Sequence, residues 1–333
     1  MIPVVIVTGF LGSGKTTLIG QILRDPAFTR TAVIVNEFGE IGLDHELIAT
    51  SDETLMALTN GCLCCAVQSD LVRTLLELQA RRDAGEIPPY DRVLIETSGL
   101  ADPAPILQAL MTDARLLAGH QVQSLITLVD AVHGAASLER HGEARRQVAL
   151  ADRLILTKTD IAGPAEDLRA RLTALNPGAE LLIAIAGRIG PECLFAAIDP
   201  SARADRLATL PSSTATPFQR GEHHDAIESF LLERDHPIPG LALVLLLQAL
   251  AEHCGRRLLR VKGLVDITEM PGQPALIHGV QHIFATPDFL PAWPSADHRT
   301  RIVFIAQNLP RHFPARLLTA IEAEVMEAAA SRA

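Results

Sequence analysis

The amino-acid sequence predicts an α/β fold in which a mostly parallel, doubly wound sheet is followed by a smaller α+β C-terminal domain. Through the first 200 residues, short apolar runs alternate with helical patterns, which is typical of a parallel sheet covered by helices on both faces. A glycine-rich segment at residues 9–16 lies between the first apolar run and the first helical pattern. Beyond residue 220 the order of elements changes, and successive apolar runs indicate a mostly antiparallel sheet.

The spacing of the apolar residues places these elements along the chain. Strands are predicted near residues 4–8, 31–36, 55–58, 92–96, 122–129, 153–157 and 181–185, and helices near 15–23, 69–84, 104–113, 143–150, 165–175 and 191–198. Residues 201–220 are rich in Pro, Ser, Thr and Ala, so we predict a linker between a domain at 1–200 and another at 221–330. In that second domain, strands are expected near 226–232, 258–267, 275–285 and 301–307, with helices at 240–253 and from Pro314.

The glycine-rich segment has the pattern G-x-x-x-x-G-K-T of a phosphate loop, the signature of a phosphate-loop NTPase. Its glycines allow successive backbone N–H groups to turn inward around a phosphate. Lys15 would reach the β and γ phosphates, and the Thr16 hydroxyl would bind Mg²⁺ at the positive end of the following helix. The predicted nucleotide-binding residues here are Gly9, Gly12, Ser13, Gly14, Lys15, Thr16 and Thr17.

Two further strand ends carry residues suited to the same nucleotide. The apolar run at 93–95 ends in Glu96, and Gly99 follows three residues later. We expect Glu96 to reach the Mg²⁺ shell and the N–H of Gly99 to meet the γ-phosphate. Thr157, Lys158 and Asp160 follow another apolar run and are similar to the guanine-reading N-K-x-D of GTPases, although Thr157 stands where Asn is usual. An aspartate in this position can accept both N–H groups of guanine, which adenine cannot match.

Three of the five cysteines, Cys62, Cys64 and Cys65, lie within four residues. In an extended segment Cys62 and Cys64 would point to the same side and Cys65 away from them. Thiolates select Zn²⁺, Cu⁺ and similar ions, and a site with three sulfurs at most suits a transferable ion better than a structural one. A redox pair and inert buried thiols remain the alternatives. Glu37, in a predicted switch segment after the second strand, is the preferred carboxylate near both the metal and the nucleotide.

Composition limits the remaining classes of function. A formal net charge of −10 without a basic stripe argues against a nucleic-acid partner. No apolar run is long enough to span a membrane, and no leader pattern precedes the first strand, so a cytoplasmic protein without a membrane segment is expected. The adjacent pair His223 and His224 and the alternating pair His278 and His282 are weaker candidates for metal ligands.

Taken together, the stretches GFLGSGKTT, NEFGEIGLD, NGCLCC, LIETSGLADP, TKTD, RVKGLVDI and IHGVQHIF resemble the CobW family of phosphate-loop GTPases. The resemblance implies a GTP-hydrolysing metallochaperone with GTP or GDP, Mg²⁺ and Zn²⁺ or Co²⁺ as ligands. By position, the resemblance implies that hydrolysis would use Lys15, Glu96 and Glu37, and that Thr16 would bind Mg²⁺. The transported metal would be bound by Cys62, Cys64, Cys65 and Glu37. The histidine-rich tract of many members is missing, which argues against metal storage.

The function expected from the sequence is therefore the capture and delivery of a metal ion to a client metalloprotein, controlled by GTP hydrolysis. A homo-oligomer is compatible with it. The alternatives are a passive metal-binding buffer with vestigial nucleotide binding, a cobalt insertion factor in cobalamin synthesis, and a nucleotide-dependent kinase, for which no acceptor site is visible.

Overall fold

The structure is a computed structural model, and it describes residues 1–35, 55–57, 64–184, 189–196, 198–210 and 226–331. The chain divides into two compact units. The N-terminal unit comprises Met1–Ala170 and Ala179–Ala197, and the C-terminal unit comprises Arg171–Gly178 and Ile198–Ala333.

Seven strands within the described residues of the N-terminal unit form one parallel sheet. They are β1 (Ile2–Gly9), β2 (Thr31–Val35), β3 (Leu55–Ala57), β4 (Arg92–Glu96), β5 (His120–Asp130), β6 (Arg153–Thr157) and β7 (Glu180–Ile183). Their order is β3-β2-β4-β1-β5-β6-β7, and every neighbouring pair is parallel. The predicted parallel, doubly wound sheet is thus confirmed, and the carboxyl ends of its strands lie at one edge.

Helices connect these strands and continue into the second unit. They are α1 (Lys15–Ile22), α2 (Cys64–Asp83), α3 (Ala104–Thr112), α4 (Ala114–Leu117), α5 (Gly134–Arg140), α6 (Gly142–Leu150), α7 (Thr159–Ala162), α8 (Glu166–Leu175), α9 (Pro191–Phe195) and α10 (Pro200–Ala208). The central strand β1 has a continuous buried apolar run, as expected for a strand with helices on both faces. Val5 and Val7 pack with Leu18 and Ile22 of α1, which fixes the segment between β1 and α1.

The helices α4, α5 and α7 were not predicted from the sequence, and α2 and α10 differ from the prediction as well. α2 begins at Cys64, five residues earlier than expected, so Cys64 and Cys65 are helical and the geometry of an extended segment does not apply to them. No proline or glycine after Gly61 interrupts the apolar stripe that α2 buries. α10 lies where a linker was expected. The Asp199 side chain accepts a hydrogen bond from the N–H of Ser201, and Leu207 is buried, so a capped helix forms from a segment that composition alone marked as irregular.

The described part of the C-terminal unit contains a mostly antiparallel sheet, as predicted, in the order β11-β10-β9-β13-β8 with β12 paired to β10. Its strands are β8 (Ile227–Arg234), β9 (Leu258–Val265), β10 (Ala275–Val280), β11 (Ile283–Phe284), β12 (Asp288–Phe289) and β13 (Thr300–Gln307), and its longer helices are α11 (Gly240–Cys254) and α12 (Phe313–Ala330). The single strand expected at 275–285 is a hairpin, because Gln281 adopts a left-handed backbone (φ 55°). His278 and His282 therefore do not alternate along one strand.

α11 is amphipathic. Leu243, Leu246 and Leu250 face the core, whereas Leu241 and Val244 are exposed. Among the helices that the structure describes, none combines the length and the apolar character needed to cross a membrane.

We predict that the buried His120 makes the free energy of unfolding of the N-terminal unit depend on pH. Its imidazole is buried, and neither ring nitrogen makes a hydrogen bond of ordinary geometry within the described residues. Burial and the nearby Arg82 guanidinium lower its pKa below the ordinary 6.5, against an opposing backbone contact at Leu116. The unfolded chain then binds a proton at higher pH than the folded one, so the free energy of unfolding falls as pH decreases below about 6.5, by up to about 1.4 kcal/mol per pH unit.

We expect His120→Leu to reduce that loss between pH 6.5 and 5, measured by chemical unfolding at each pH. His253→Leu, at an exposed position of α11, serves as the control and should leave the pH profile unchanged. A profile of the His120 variant that matches the unmodified protein would contradict the assignment.

Candidate functional site

The glycine-rich loop between β1 and α1 adopts the conformation that its glycines require. Gly14 precedes α1 with a left-handed backbone (φ 95°). A Cβ on Gly9 (φ 147°) would lie 2.5 Å from the carbonyl oxygen of Leu128 and 2.6 Å from Oγ of Ser13, so only glycine fits there. α1 has no side-chain cap and no acidic residue in its first turn, which leaves its N-terminal amide groups and dipole suited to an anion.

Side chains of this loop and of α1 surround the same point. Lys15 is buried, and its Nζ donates to the carbonyl oxygens of Gly9 (2.7 Å) and Phe10 (3.3 Å). Thr16 and Thr17 are exposed on the first turn of α1. Ser13 is buried, and its Oγ has no hydrogen-bond partner among the described residues. The ammonium group and the first turn of α1 are thus arranged to bind a polyphosphate.

The segment after β4 lies against this loop. Glu96 is buried at the end of β4 and pairs in register with Val7 of β1. The Thr97 hydroxyl donates to the Thr8 hydroxyl at 2.7 Å. A Cβ on Gly99 would lie 2.9 Å from the backbone nitrogen of Leu11, so a glycine is required for this close approach. Glu96 thus ends the strand that neighbours β1, and Gly99 lies against the phosphate loop.

One contributor was missed from the sequence. Gln147 on α6 is fully buried, and its Nε2 donates to the carbonyl oxygens of Gly99 (3.1 Å) and Ala101 (3.0 Å). The residue before α6, His141, stacks on Phe10 of the phosphate loop with 4.5 Å between ring centroids. Helix α6 thus holds both loops. A glutamine within an amphipathic pattern carries no sequence signal for this role.

The segment after β6 is also bound to the phosphate loop. The Thr157 hydroxyl is 2.8 Å from the carbonyl oxygen of Ser13 and 3.3 Å from that of Val129. Lys158 has a left-handed backbone (φ 57°), and its Nζ donates to the carbonyl oxygen of Gly12 at 2.8 Å. Asp160 is exposed in the first turn of α7. Thr157 therefore ties this segment to the phosphate loop through a hydroxyl group, although it lacks the amide of the usual asparagine.

Asp130, at the end of β5, is a second residue that the sequence did not reveal. Its Oδ2 accepts from Nζ of Lys158 at 2.7 Å, and its Oδ1 accepts from the N–H groups of Val132 (2.7 Å) and His133 (3.3 Å). Burial raises the pKa of the Asp130 carboxyl, but these hydrogen bonds outweigh burial and hold the pKa below its ordinary value. Asp130 is thus ionised at neutral pH and orients Lys158.

The predicted metal ligands are only partly within the described residues. Cys64 and Cys65 form the first turn of α2, whereas Cys62 and Glu37 lie outside the described residues, as do His223 and His224. In the part of the chain that the structure describes, no group of three or more His, Cys, Asp or Glu side chains is arranged to hold a metal ion.

Comparison with known proteins identifies the family. Residues 3–183 match the model of the CobW/HypB/UreG nucleotide-binding domain, and residues 227–322 match that of the cobalamin synthesis protein cobW C-terminal domain. The chain belongs to the CobW/HypB/UreG family. The family and the phosphate-loop GTPase class predicted from the sequence motifs are thereby confirmed.

Relatives match over nearly the whole chain. The zinc chaperone YjiA of Escherichia coli (strain K12) is 36% identical over 309 residues, which cover 93% of this chain and 95% of YjiA. The zinc chaperone CobW of Pseudomonas aeruginosa is 34% identical over 92% of this chain and 88% of its own length. A crystal structure of the Zn(II)-bound YjiA GTPase from E. coli superposes with a TM-score of 0.74 and 30% identity, covering 96% of this chain and 98% of that one.

We predict that the hydroxyl of Thr157 strengthens nucleotide binding. Thr157→Val removes the donor to the carbonyl oxygen of Ser13, which is worth about 1–3 kcal/mol when a buried partner is left unpaired. We expect weaker GDP binding, by about fivefold or more, in a fluorescence titration. Thr157→Ser keeps the hydroxyl and should bind GDP as the unmodified protein does. Equal affinity of the valine variant would show that the tether does not support the nucleotide site.

Proposed function

We propose that this protein is a GTP-hydrolysing metallochaperone that binds Zn²⁺ at Cys62, Cys64 and Cys65 and uses the nucleotide state to control capture and delivery. One observation carries the proposal. Four neighbouring strands, in the order β3-β2-β4-β1, end at the same edge of a parallel sheet. β3 leads to the cysteine segment, and β2 leads to the segment with Glu37. β4 ends in Glu96, and β1 leads to the phosphate loop. Metal and nucleotide sites therefore follow adjacent strand ends.

The nucleotide roles follow from the geometry at that edge. Lys15 and the amide groups of the loop glycines, with Ser13 and Thr17 beside them, would bind the phosphates. The Thr16 hydroxyl and the Glu96 carboxylate supply oxygen ligands, which are the donors that Mg²⁺ prefers. Bound Mg²⁺ would neutralise charge that develops on the transferred phosphate. Gly99, held by Gln147, would offer its N–H to the γ-phosphate, and Glu37 is our choice for the group beside the attacking water.

The base would be read by the segment after β6. Nζ of Lys158 donates to Asp130 and Gly12, and its aliphatic stem would lie over a purine ring. Asp160 is exposed and has a carboxylate that can accept two N–H groups of guanine. GTP would thus be preferred over ATP although Thr157 replaces asparagine.

The metal role is supported by the cysteine pattern and by the relatives. Cys64 and Cys65 begin α2, where the helix dipole favours thiolate. Proteins named zinc chaperones match nearly the whole chain. About half of this chain also matches part of the zinc-regulated GTPase metalloprotein activator 1 of Saccharomyces cerevisiae at 35% identity. By analogy, the client would be a metalloprotein. Co²⁺ is a second possible cargo because the same donors bind it.

Guanine selectivity tests the nucleotide half of the proposal. Asp160→Asn removes a charged acceptor, and hydrogen bonds to charged groups are worth about 1.5–3 kcal/mol. The preference for GTP over ATP should therefore fall roughly 10- to 150-fold in competition binding. Asp167→Asn, an exposed acid in the first turn of α8, is the control and should keep the preference. Equal binding of GTP and ATP by the unmodified protein would show that the guanine pocket has been lost.

Coupling between the two ligands tests the chaperone mechanism. A segment ordered by GTP and Mg²⁺ would add a ligand to the metal, so Zn²⁺ should bind more tightly with a GTP analogue than with GDP. Coupling free energies of this kind are about 1–3 kcal/mol, roughly 5- to 150-fold in affinity, and linkage requires the same factor for GTP. Isothermal titration measures both.

Cys62→Ser and Cys64→Ser should remove this zinc binding and spare nucleotide binding in metal-free buffer. Cys193→Ser, outside the motif, is the matched control. Identical zinc affinity in the two nucleotide states would favour the passive buffer, and phosphate release that is stimulated by cobalt alone would favour the cobalt insertion factor. Phosphate transfer to an added acceptor would favour a kinase.

A further inference from the structure

The C-terminal unit contains an open cavity of about 700 Å³ where β8 ends beside α12. Three carboxylates line it, from Glu233, Asp235 and Glu322, together with the imidazole of His236. Two guanidinium groups, from Arg234 and Arg299, also line it. The lining carries more negative than positive charge when the imidazole is neutral, so a small cation is the ligand that its charge favours.

Both arginines are already engaged with other groups. Arg234 donates to the carbonyl oxygen of Ala315 (2.9 Å) and the hydroxyl of Thr319 (2.8 Å), and its Nε lies 3.5 Å from Oε2 of Glu322. Arg299 makes a two-point contact with Asp297 at 2.9 and 2.7 Å. Neither guanidinium satisfies Oε1 of Glu322, which is buried without a hydrogen-bond donor among the described residues. The residue as a whole is only 8% exposed.

His236 faces that oxygen with its second ring nitrogen. Nδ1 of His236 lies 3.1 Å from Oδ1 of Asp235. A carboxylate can only accept, so Nδ1 carries the proton in the neutral imidazole and Nε2 presents a lone pair. Nε2 lies 3.5 Å from Oε1 of Glu322. Two acceptors then face each other, and they need either an additional proton or a cation between them.

The separation fits a transition-metal ion. Zn²⁺ binds imidazole nitrogen and carboxylate oxygen at about 2.0–2.2 Å with tetrahedral angles, which places two such ligand atoms roughly 3.3–3.5 Å apart. A zinc-binding histidine usually donates the N–H of its other ring nitrogen, the one that does not bind the metal, to a carboxylate, because this hydrogen bond fixes the tautomer and the orientation of the ring. Mixed nitrogen and oxygen donors favour Zn²⁺, Co²⁺ or Ni²⁺ over Mg²⁺ and Ca²⁺.

We propose that His236 Nε2 and Glu322 Oε1 form a second zinc site, with Asp235 as the positioning residue that orients the imidazole. Two protein ligands leave coordination positions for water or for a donor from another molecule, so the ion would be exchangeable. The His236 side chain is 56% exposed, which gives an incoming ion access. The site lies within the C-terminal unit and does not depend on the nucleotide cycle.

The test uses the full chain with Cys62, Cys64 and Cys65 replaced by Ser, titrated with Zn²⁺ in competition with a chromophoric chelator. We expect one equivalent of Zn²⁺ to remain bound. His236→Ala in that background should abolish it, and Asp235→Asn should weaken it about 10- to 100-fold. His253→Ala, an exposed histidine of the same unit, is the matched control and should retain the ion.

Glu322 contacts Arg234, so Glu322→Gln is a supporting variant whose folding is checked by thermal unfolding in metal-free buffer. Co²⁺ gives an independent readout, because ligation by nitrogen and oxygen produces visible d–d bands without thiolate charge transfer. No bound Zn²⁺ in the thiol-free protein, or unchanged affinity after His236→Ala, would overturn the proposal and leave an imidazolium–carboxylate ion pair. If the thiol-free protein retains this ion, but the unmodified protein binds Zn²⁺ at its cysteines equally with a GTP analogue and with GDP, only the proposed function would be overturned.

Discussion

The phosphate loop depends on the position of β1 within the sheet. β1 pairs with β4 on one side and with β5 on the other, and its valines are buried on both faces. These pairings fix the positions of Gly9, Glu96 and the end of β5 relative to one another at the edge of the sheet. A slip of one residue in either register would turn the core side chains over and move the carboxylate away from the loop. The apolar packing of β1 is therefore what places polar groups at the site.

Around this loop, side chains donate to backbone carbonyls. Gln147 holds the segment after β4, whereas Thr157 and Lys158 hold the phosphate loop itself. These contacts use backbone carbonyl oxygens rather than the N–H groups with which a loop of this kind binds phosphate. They also restrain two loops without covering them with bulky side chains. The site thus has a restrained backbone.

Much of this architecture follows from local patterns. The strands of the N-terminal sheet are continuous apolar runs, and Lys15 and Glu96 stand at fixed offsets from their ends, so both could be placed from the sequence. Asp130 and Gln147 could not, because their partners are 28 and 48 residues away along the chain and are backbone groups or a single lysine. The helix α10 was missed because capping by Asp199 and burial of Leu207 outweighed composition there.

The double contact of Thr157 and Lys158 with the phosphate loop has a consequence for protein engineering. Thr157 and Lys158, which we propose lie beside the base, donate to the carbonyl oxygens of Ser13 and Gly12 in the phosphate loop. Replacing the segment at 157–160 to accept a different purine would also change the cradle, so specificity and affinity would vary together.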